Sequence, residues 1–262
     1  MADSAKLLSG KKIVVTRAPQ QAGELIDALA RKGAEVLLLP LVRFAPPEDP
    51  AALDEHLSRL EDFEAVIFLS ANAVRFVCDR CREIGVAIAG GERFTAAVGP
   101  ATARVLSDEG VRVSYVAQEH IGKALARELK ESLVGKKVLL PRSDQGDRAV
   151  VEALREGGAK VTEVVAYRTA MPNSFDAVLV AKVLRGDVDA IIFASPSAVE
   201  NFVAVFGGEE VAAVAKKVHF AAIGPTTAQS LRDASLPVSI QAADSSTPSL
   251  VAAVEHFLAE HP

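Results

Sequence analysis

Short apolar runs alternate with longer amphipathic stretches along the whole chain. The runs that predict strands are Ile13–Val15, Val36–Leu39, Val66–Leu69, Ala96–Val98, Val111–Val116, Val138–Leu140, Val161–Val165, Ala190–Phe193, Phe220–Ile223 and Val238–Ile240. Most lack polar alternation, which is typical of strands covered on both faces in a parallel sheet. Amphipathic stretches such as Ala22–Lys32, which places Leu25, Ile26 and Leu29 on one stripe, predict the covering helices. The pattern predicts an α/β protein with doubly wound parallel sheets.

The pattern also repeats, with the second copy 125 residues behind the first. Three blocks show it: Gly10–Val15 returns as Gly135–Leu140, Val66–Ser70 as Ile191–Ser195, and Ala96–Ala103 as Ala221–Ala228. A period this long indicates a duplicated domain, because solenoid repeats span only about 20–50 residues. We therefore expect two domains of similar fold, with the functional pocket in a cleft between them.

Two extended segments flanked by proline interrupt the alternation of strands and helices. They are Leu41–Phe44 and Ala166–Thr169, which occupy equivalent places in the two copies. We predict that the chain crosses between domains there, at 41–45 and 166–171. The first domain would then be discontinuous and combine residues 1–40 with 172–262, and the second would be 46–165.

Composition narrows the classes of function. Half of the residues are hydrophobic and 24% are charged, as in ordinary soluble globular proteins. The net charge of −5 gives no field that favours nucleic acid or an anionic membrane. No apolar run reaches the roughly 18 residues of a membrane span. Because Met1–Ser9 also lacks the apolar core of a signal peptide, we expect a cytoplasmic protein.

Two Gly-Pro-x-Thr turns, Gly99–Thr102 and Gly224–Thr227, directly follow equivalent predicted strands. Ligands of open parallel sheets bind beyond the carboxyl ends of the strands. Proline suits the first helical position, and the free N–H groups of the next turn, with a threonine hydroxyl, can bind an anion. A helix start that binds nothing explains each turn equally well. Neither turn fits a nucleotide-binding glycine motif.

Other polar side chains also follow predicted strands. Arg17 and Arg142 occupy equivalent positions, and their guanidinium groups could hold carboxylates bidentately; exposure or an ion pair with a nearby acid is the alternative. Ser70 and Ser195 follow another equivalent pair of strands, and Ser197 comes two residues later. Because Ser195 and Ser197 lack the surrounding motif of a hydrolase nucleophile, we do not expect either of them to act as one.

The remaining candidates are a phenol and two thiols. Tyr167 is one of two tyrosines and lies on a predicted crossing segment, where its hydroxyl could donate a proton or simply pack. Cys78 and Cys81 form a Cys-x-x-Cys motif, but they lie well inside a predicted helix, away from the N-terminus that would activate a redox thiol. The histidines show no spacing typical of metal ligands, so we predict no metal site.

Several of these blocks together resemble the uroporphyrinogen-III synthase family. The C-terminal signature is carried by Phe220–Ala228, Leu236–Val238 and Ser246–Pro248. Ile192–Val199, Val165–Thr169, Val15–Arg17 and Leu39-Pro40 are also similar to that family. The resemblance runs nearly from end to end of the chain.

The resemblance implies two α/β domains joined by a two-strand ladder. It implies a cyclising lyase that needs no cofactor and acts on hydroxymethylbilane, a linear tetrapyrrole polycarboxylate. In that reaction water is lost, ring D is inverted through a spiro intermediate, and uroporphyrinogen III forms for tetrapyrrole biosynthesis. We further expect a monomer that binds neither nucleic acid nor membrane and transiently contacts the preceding pathway enzyme.

The resemblance also assigns roles to particular residues. Tyr167 would donate a proton to the departing hydroxyl. The residues expected to contact substrate are Thr102, Ser195, Ser197 and Thr227, with Gly99 and Gly224 at the two turns and Ser70, Arg17 and Arg142 from their strand-end positions. The alternative is a non-enzymatic two-domain protein that binds a small ligand, since such receptors share α/β lobes and crossing strands. A nucleotide-sugar enzyme is disfavoured because the sequence lacks a phosphate loop.

Overall fold

The computed structural model describes residues 7–90, 92–119 and 122–261, and the chain in it divides into two compact units. The first unit contains the chain up to Arg43 and again from Ala170 onwards, and the second is Phe44–Thr169. The chain therefore passes from one unit to the other twice. One passage lies between Arg43 and Phe44 and the other between Thr169 and Ala170.

The first unit contains a five-stranded sheet. Its strands are β1 (Lys12–Val15), β2 (Glu35–Leu38), β9 (Ala190–Phe193), β10 (His219–Ala222) and β11 (Ile240–Gln241), numbered in chain order. Their spatial order is β11-β10-β9-β1-β2, with every pair parallel. Its helices are α1 (Pro19–Arg31), α8 (Ala177–Arg185), α9 (Pro196–Phe206), α10 (Gly208–Val214), α11 (Pro225–Asp233) and α12 (Thr247–Glu260).

The second unit is built on a six-stranded sheet. Its strands are β3 (Arg43–Ala45), β4 (Ala65–Phe68), β5 (Phe94–Ala97), β6 (Tyr115–Val116), β7 (Lys137–Ser143) and β8 (Lys160–Ala170). They lie in the order β3-β8-β7-β4-β5-β6. The helices are α2 (Ala51–Leu57), α3 (Ala71–Glu83), α4 (Pro100–Asp108), α5 (Gly122–Glu128), α6 (Lys130–Leu133) and α7 (Ala149–Glu156), with a 3₁₀ turn at Leu60–Asp62.

The two sheets share one strand order, and equivalent strands begin 125 residues apart. The equivalent pairs are β1 and β7, β2 and β8, β4 and β9, β5 and β10, and β6 and β11. Each unit therefore takes strands from both copies of the repeat. In each sheet the order reverses at one place, between β1 and β9 in the first unit and between β7 and β4 in the second. Such switch points are where open α/β sheets bind ligands.

The central strands form because their apolar side chains are covered on both faces. Val14 and Ile191 are fully buried partners in the β1–β9 register. An acid fixes the start of the pairing in each unit: the Asp189 carboxylate accepts a hydrogen bond from the Lys12 N–H at 2.7 Å, and Glu64 accepts one from the Lys137 N–H at 3.0 Å. The covering helices are amphipathic, and no described helix is long and apolar enough to cross a membrane.

Some strand boundaries differ from those predicted. Only Tyr115–Val116 of the apolar run from Val111 forms a strand, because Val111 instead closes the turn after α4 by donating its N–H to the Leu106 carbonyl at 2.8 Å. Likewise only Ile240 of the run from Val238 is in β11. The strands β7 and β8 are longer than predicted and continue through Ser143 and Ala170.

A cluster of aromatic rings provides a test of core packing in the first unit. The Phe202 ring lies 5.3 Å from Phe193 and 5.6 Å from Phe220, and all three side chains are fully buried. Phe202→Ala should therefore lower the free energy of unfolding by about 3–5 kcal/mol. Val178→Ala, at a site that is 69% exposed, should change it by less than about 0.5 kcal/mol. Urea unfolding followed by circular dichroism measures both, and equal effects would contradict this packing.

Candidate functional site

A pocket of about 560 Å³ lies at the carboxyl edge of the second unit's sheet. It is lined by Leu69, Ser70, Val98, Gly122, Lys123, Arg142, Ser143, Gly146, Asp147, Val150 and Tyr167. These residues come from the ends of β7, β4 and β5, the strands around the switch point, from β8, from the loop after β7, and from α5 and α7. Three of the predicted site residues, Ser70, Arg142 and Tyr167, thus meet in one pocket.

A β-bulge directs Tyr167 towards this pocket. Arg142 pairs with Val165, but the next residue, Ser143, pairs with Tyr167, so Ala166 is an extra residue in β8. Bulges bend a strand and re-aim its side chains, and they are frequent next to active sites. The Tyr167 ring is 7% exposed, stacks on Phe76 at 5.5 Å and meets the edge of Phe44 at 5.7 Å. Its orientation is therefore fixed by packing.

The Tyr167 hydroxyl is hydrogen-bonded to a serine that begins a helix. Ser70 is the N-cap of α3, and its Oγ accepts a hydrogen bond from the Ala73 N–H at 3.1 Å. The same Oγ lies 3.0 Å from the Tyr167 hydroxyl, and either oxygen could donate. Because a serine hydroxyl has one proton and two lone pairs, Ser70 can accept from Ala73 and donate to Tyr167. The phenol proton of Tyr167 is then available to a ligand in the pocket.

Arg142 lies in β7 rather than beyond it, which corrects its expected position past the strand end. Its Nη1 donates to Glu163 at 2.5 Å, and its Nη2 donates to the Gly146 carbonyl. The side chain is only 10% exposed, and its Nε lacks a hydrogen-bond partner among the described residues. The hydrogen bond from Arg142 lowers the pKa of Glu163 below its ordinary value. The sequence left open whether Arg142 holds a ligand carboxylate or forms an ion pair with a nearby acid. In the structure its neighbour is an acid of the protein, Glu163.

The two Gly-Pro-x-Thr turns form helix starts, as predicted. Gly99 is the N-cap of α4 and Gly224 of α11, and no side chain caps either helix. Both glycines have extended backbones, with φ of −176° and −175°, so glycine is not required for its conformational freedom. At Gly224 a Cβ atom would overlap the Ser245 Oγ, so the Ser245 side chain would have to rotate away.

The threonines of these turns are nearly covered. Thr102 is 4% exposed in α4, and Thr227 is 3% exposed in α11. Although Thr102 and Gly99 belong to the second unit, neither lines the 560 Å³ pocket described above. The structure therefore does not bring every predicted residue of this unit to one pocket wall.

The other predicted residues lie at the carboxyl edge of the first unit's sheet. Ser195 caps α9, where its Oγ accepts a hydrogen bond from the Ala198 N–H at 3.3 Å, and Ser197 lies in the first turn of that helix. Arg17 follows β1, the neighbour of β9. Arg17 is half-buried and makes no hydrogen bond or ion pair to a described residue of its own unit. Burial lowers its pKa from the ordinary value, against a smaller opposing effect of Glu24.

Sequence reasoning missed several residues of the site in the second unit. Glu163 had a usable signal, since it is an acid inside an otherwise apolar strand run. Phe44 and Phe76 had none, because their contact with Tyr167 depends on tertiary packing. Lys123, which lines the pocket from α5, belongs to a helix that the sequence pattern did not define.

Comparisons with known proteins show to which family this chain is similar. Residues 23–252 match the family model described as uroporphyrinogen-III synthase HemD. A uroporphyrinogen-III synthase of Synechococcus elongatus is 30% identical over 95% of this chain and 96% of its own length. This chain belongs to the uroporphyrinogen-III synthase family. A putative uroporphyrinogen-III synthase of Methanothermobacter thermautotrophicus is 32% identical over 84% of this chain and 88% of its own length. The family predicted from the sequence blocks is thereby confirmed.

Solved structures of the uroporphyrinogen-III synthase family share the fold. The enzyme of Helicobacter pylori superimposes with a TM-score of 0.63 at 18% identity, over 94% of this chain and 99% of that one. A mutant enzyme of the extreme thermophile Thermus thermophilus gives a TM-score of 0.58 at 19% identity, over 96% of this chain and 100% of that one. At this level of identity the likeness shows the fold, and the predicted α/β class is confirmed.

The Cys-x-x-Cys motif is part of the core. Cys78 and Cys81 are free thiols, 2% and 1% exposed, and lie well inside α3. Burial raises the pKa of Cys78 to about 12, with a further contribution from Glu109, and raises the pKa of Cys81 to about 11. Among residues 7–90, 92–119 and 122–261, no group of three or more His, Cys, Asp or Glu could hold a metal ion. The motif therefore lacks the thiolate that its redox counterparts use, and no further zinc ligand joins it among the described residues.

These raised pKa values give a prediction about thiol reactivity. At about pH 8 both thiols remain protonated in the folded protein, so iodoacetamide should modify them at least about a hundredfold more slowly than in guanidinium chloride. Mass spectrometry of timed samples gives both rates. Rapid modification of the folded protein would show that the thiols are accessible and ionised, contrary to their burial.

Proposed function

We propose that this chain catalyses the closure of hydroxymethylbilane to uroporphyrinogen III, with loss of water and inversion of ring D. Its membership of the uroporphyrinogen-III synthase family over residues 23–252 supports this reaction. The observation in the structure that supports it most is the hydrogen-bonded pair of Tyr167 and Ser70 on the wall of the 560 Å³ pocket. This pair is a proton donor held in place at the carboxyl edge of a parallel sheet.

The substrate's acetate and propionate arms call for several separate anion sites. Because the chain has a net charge of −5, its overall field does not attract such a substrate, and local donors must do so. The starts of α4 and α11 are suited to this, since a helix N-terminus carries partial positive charge and N–H groups without an acceptor in the helix. We assign carboxylate binding to these two helix starts.

In α4 the first intrahelical hydrogen bond runs from the Ala103 N–H to the Gly99 carbonyl at 3.0 Å. Pro100 has no N–H, so Ala101 and Thr102 supply the N–H groups that a carboxylate would accept from. In α11 the corresponding bond joins Ala228 and Gly224 at 3.0 Å, which leaves the N–H groups of Thr226 and Thr227. The hydroxyls of Thr102 and Thr227 add a further donor at each helix start.

The start of α9 is a third site in this proposal. Ser195 has already used its Oγ as an acceptor for the Ala198 N–H, but its hydroxyl proton remains available for a substrate oxygen. Ser197 lies one residue beyond Pro196 in the same turn. We assign both serines to contacts with substrate carboxylate or pyrrole groups.

The chemical step that the protein assists is the departure of the hydroxyl group. In this proposal Tyr167 gives its phenol proton to that hydroxyl as the C–O bond breaks, so that water leaves and an electrophilic azafulvenium cation remains beside the Tyr167 phenolate. Ser70 donates a hydrogen bond to the phenolate oxygen and thereby stabilises the negative charge on Tyr167. The carbon at which the ring finally closes loses one proton, which restores Tyr167. The net change is the loss of one water.

The second task is to choose the isomer. Closure of the azafulvene without the enzyme gives the wrong isomer, so the protein must bring the correct pyrrole carbon to the reactive carbon. Holding two reacting atoms in contact is itself a large contribution to rate. Carboxylate sites distributed over several helix starts suit this task better than a single catalytic cluster.

The cellular setting is part of the same proposal. We propose a cytoplasmic monomer that receives the bilane through transient contact with the enzyme that makes it. Direct transfer of the bilane from one enzyme to the next is favourable, because free hydroxymethylbilane closes spontaneously to the wrong product.

The activity itself can be tested directly. Purified protein given hydroxymethylbilane, without any added cofactor, should form uroporphyrinogen III faster than the spontaneous reaction forms the type I isomer. Oxidation of the products to porphyrins and chromatographic separation of the isomers measures the ratio. Formation of the type I isomer alone would refute the proposed function.

The acid role of Tyr167 predicts the behaviour of matched variants. Tyr167→Phe should lower kcat by about 10- to 100-fold, near the low end of general-acid effects, since the hydroxyl also leaves unaided. Ser70→Ala should lower kcat less, and the double variant should be no worse than Tyr167→Phe, because both act through one hydrogen bond.

Tyr115→Phe is the control for this comparison. It removes the only other phenol of the chain, together with its 2.9 Å hydrogen bond to Glu128, outside the pocket. Its kcat should equal that of the unmodified enzyme. Equal rates for Tyr167→Phe and Tyr115→Phe would exclude Tyr167 as the acid.

A further inference from the structure

The two equivalent arginines face different neighbours. Arg17 follows Val15 by two residues, and Arg142 follows Leu140 by two. In the strand registers Val15 pairs with Leu38, whereas Leu140 pairs with Glu163. The duplication has therefore kept both arginines, but it has placed an acid at the paired position of the neighbouring strand in the second unit only.

Both terminal nitrogens of Arg142 are engaged within its own unit, whereas its Nε has no hydrogen-bond partner among the described residues. Its ion pair with Glu163 has an N–O distance of 2.5 Å, and its other terminal nitrogen donates to the Gly146 carbonyl. Glu163 also lies 3.5 Å from Arg155, so the acid is shared by two cations. Gly146 packs tightly against this group, since a Cβ there would be 2.9 Å from the Arg142 Nε. These contacts hold the turn after β7 and occupy both terminal nitrogens of the guanidinium, so Arg142 has a structural role that Arg17 does not share.

Arg17 has the opposite surroundings. Leu38, at the position equivalent to Glu163, offers no acceptor, and no described residue of the first unit makes a hydrogen bond or ion pair with Arg17. The backbone next to it is rigid, because the N–H and the Oγ1 of Thr16 both donate to the Ile192 carbonyl, at 3.2 and 2.8 Å. Glu24 acts on Arg17 through its charge but forms no ion pair with it among the described residues, so the donors of this half-buried guanidinium remain available to an anion.

We infer that Arg17 binds a substrate carboxylate, whereas Arg142 is a structural residue that holds the loop after β7. This inference rests on the proposed function and specifies which guanidinium meets the acidic substrate. The position fits, because Arg17 follows β1 at the switch point, where the neighbouring strand β9 leads into Ser195 and the start of α9. The first unit has Val42 at the position equivalent to Tyr167.

The test compares removal of the guanidinium with neutralisation of it. Arg17→Gln should raise the KM for hydroxymethylbilane about 10- to 100-fold with a smaller change in kcat, as expected for loss of a charge-assisted hydrogen bond. The KM of Arg17→Lys should lie between the KM of the unmodified enzyme and that of Arg17→Gln. Leu38→Glu installs the acid that the second unit has, and it should raise KM similarly while Arg17 is still present. Leu38→Gln, of the same size but neutral, is its control and should leave KM unchanged.

Binding of the stable octacarboxylate uroporphyrin III, followed by its fluorescence, gives a readout that does not depend on turnover. Its Kd should rise in Arg17→Gln and Leu38→Glu by factors similar to those in KM, with circular dichroism spectra unchanged. One outcome is that the unmodified enzyme makes the type III isomer while KM and Kd stay unchanged in both variants. That result would overturn the role of Arg17 but leave the proposed function standing. Absence of type III product from the unmodified enzyme would instead overturn the proposed function.

Discussion

The parallel pairing of β1 with β9, and of β7 with β4, is the interaction on which both units depend. In the first unit it joins segments about 175 residues apart through the register of Val14 with Ile191. Asp189 holds one end of this pair through the Lys12 N–H, and Thr16 holds the other through the Ile192 carbonyl. The pairing creates the switch point of each sheet, and with it the edge where the predicted residues lie. Without this pairing the ends of β1 and β9, and of β7 and β4, would not lie side by side.

One scaffold, used twice, has acquired two kinds of chemistry. Ser70 and Ser195 cap equivalent helices with nearly identical geometry, but only Ser70 has a phenol as its neighbour. The bulge at Ala166 in β8 fixes that phenol, and Phe76 and Phe44 hold its ring. Duplication preserves the backbone because the strand register and helix starts determine stability. Side chains at the strand ends are freer to differ, because the sheet does not depend on them.

The sequence predicted the parts of the fold and site that depend on local patterns. Buried strands such as Ala190–Phe193 read as continuous apolar runs, whereas Arg142 looks like a loop residue yet extends β7. Tyr167 was found through its crossing segment and the family resemblance, but its partners required the folded chain. Its hydrogen bond to Ser70 spans 97 residues, and the pairing of Arg142 with Glu163 depends on strand register. No local pattern encodes such contacts.

The interleaved order of the units determines how the protein can be made. Synthesis delivers residues 44–169 before β9 exists, so the second unit can fold while β1 and β2 still lack their central partner. In that unit β3 and β8 are adjacent strands, and the Arg43 Nε lies 3.0 Å from the Met171 carbonyl. A folded middle segment thus brings the two outgoing chain ends together. It shortens the loop that β1 and β9 must close from well over a hundred residues to a few tens, which reduces its entropic cost.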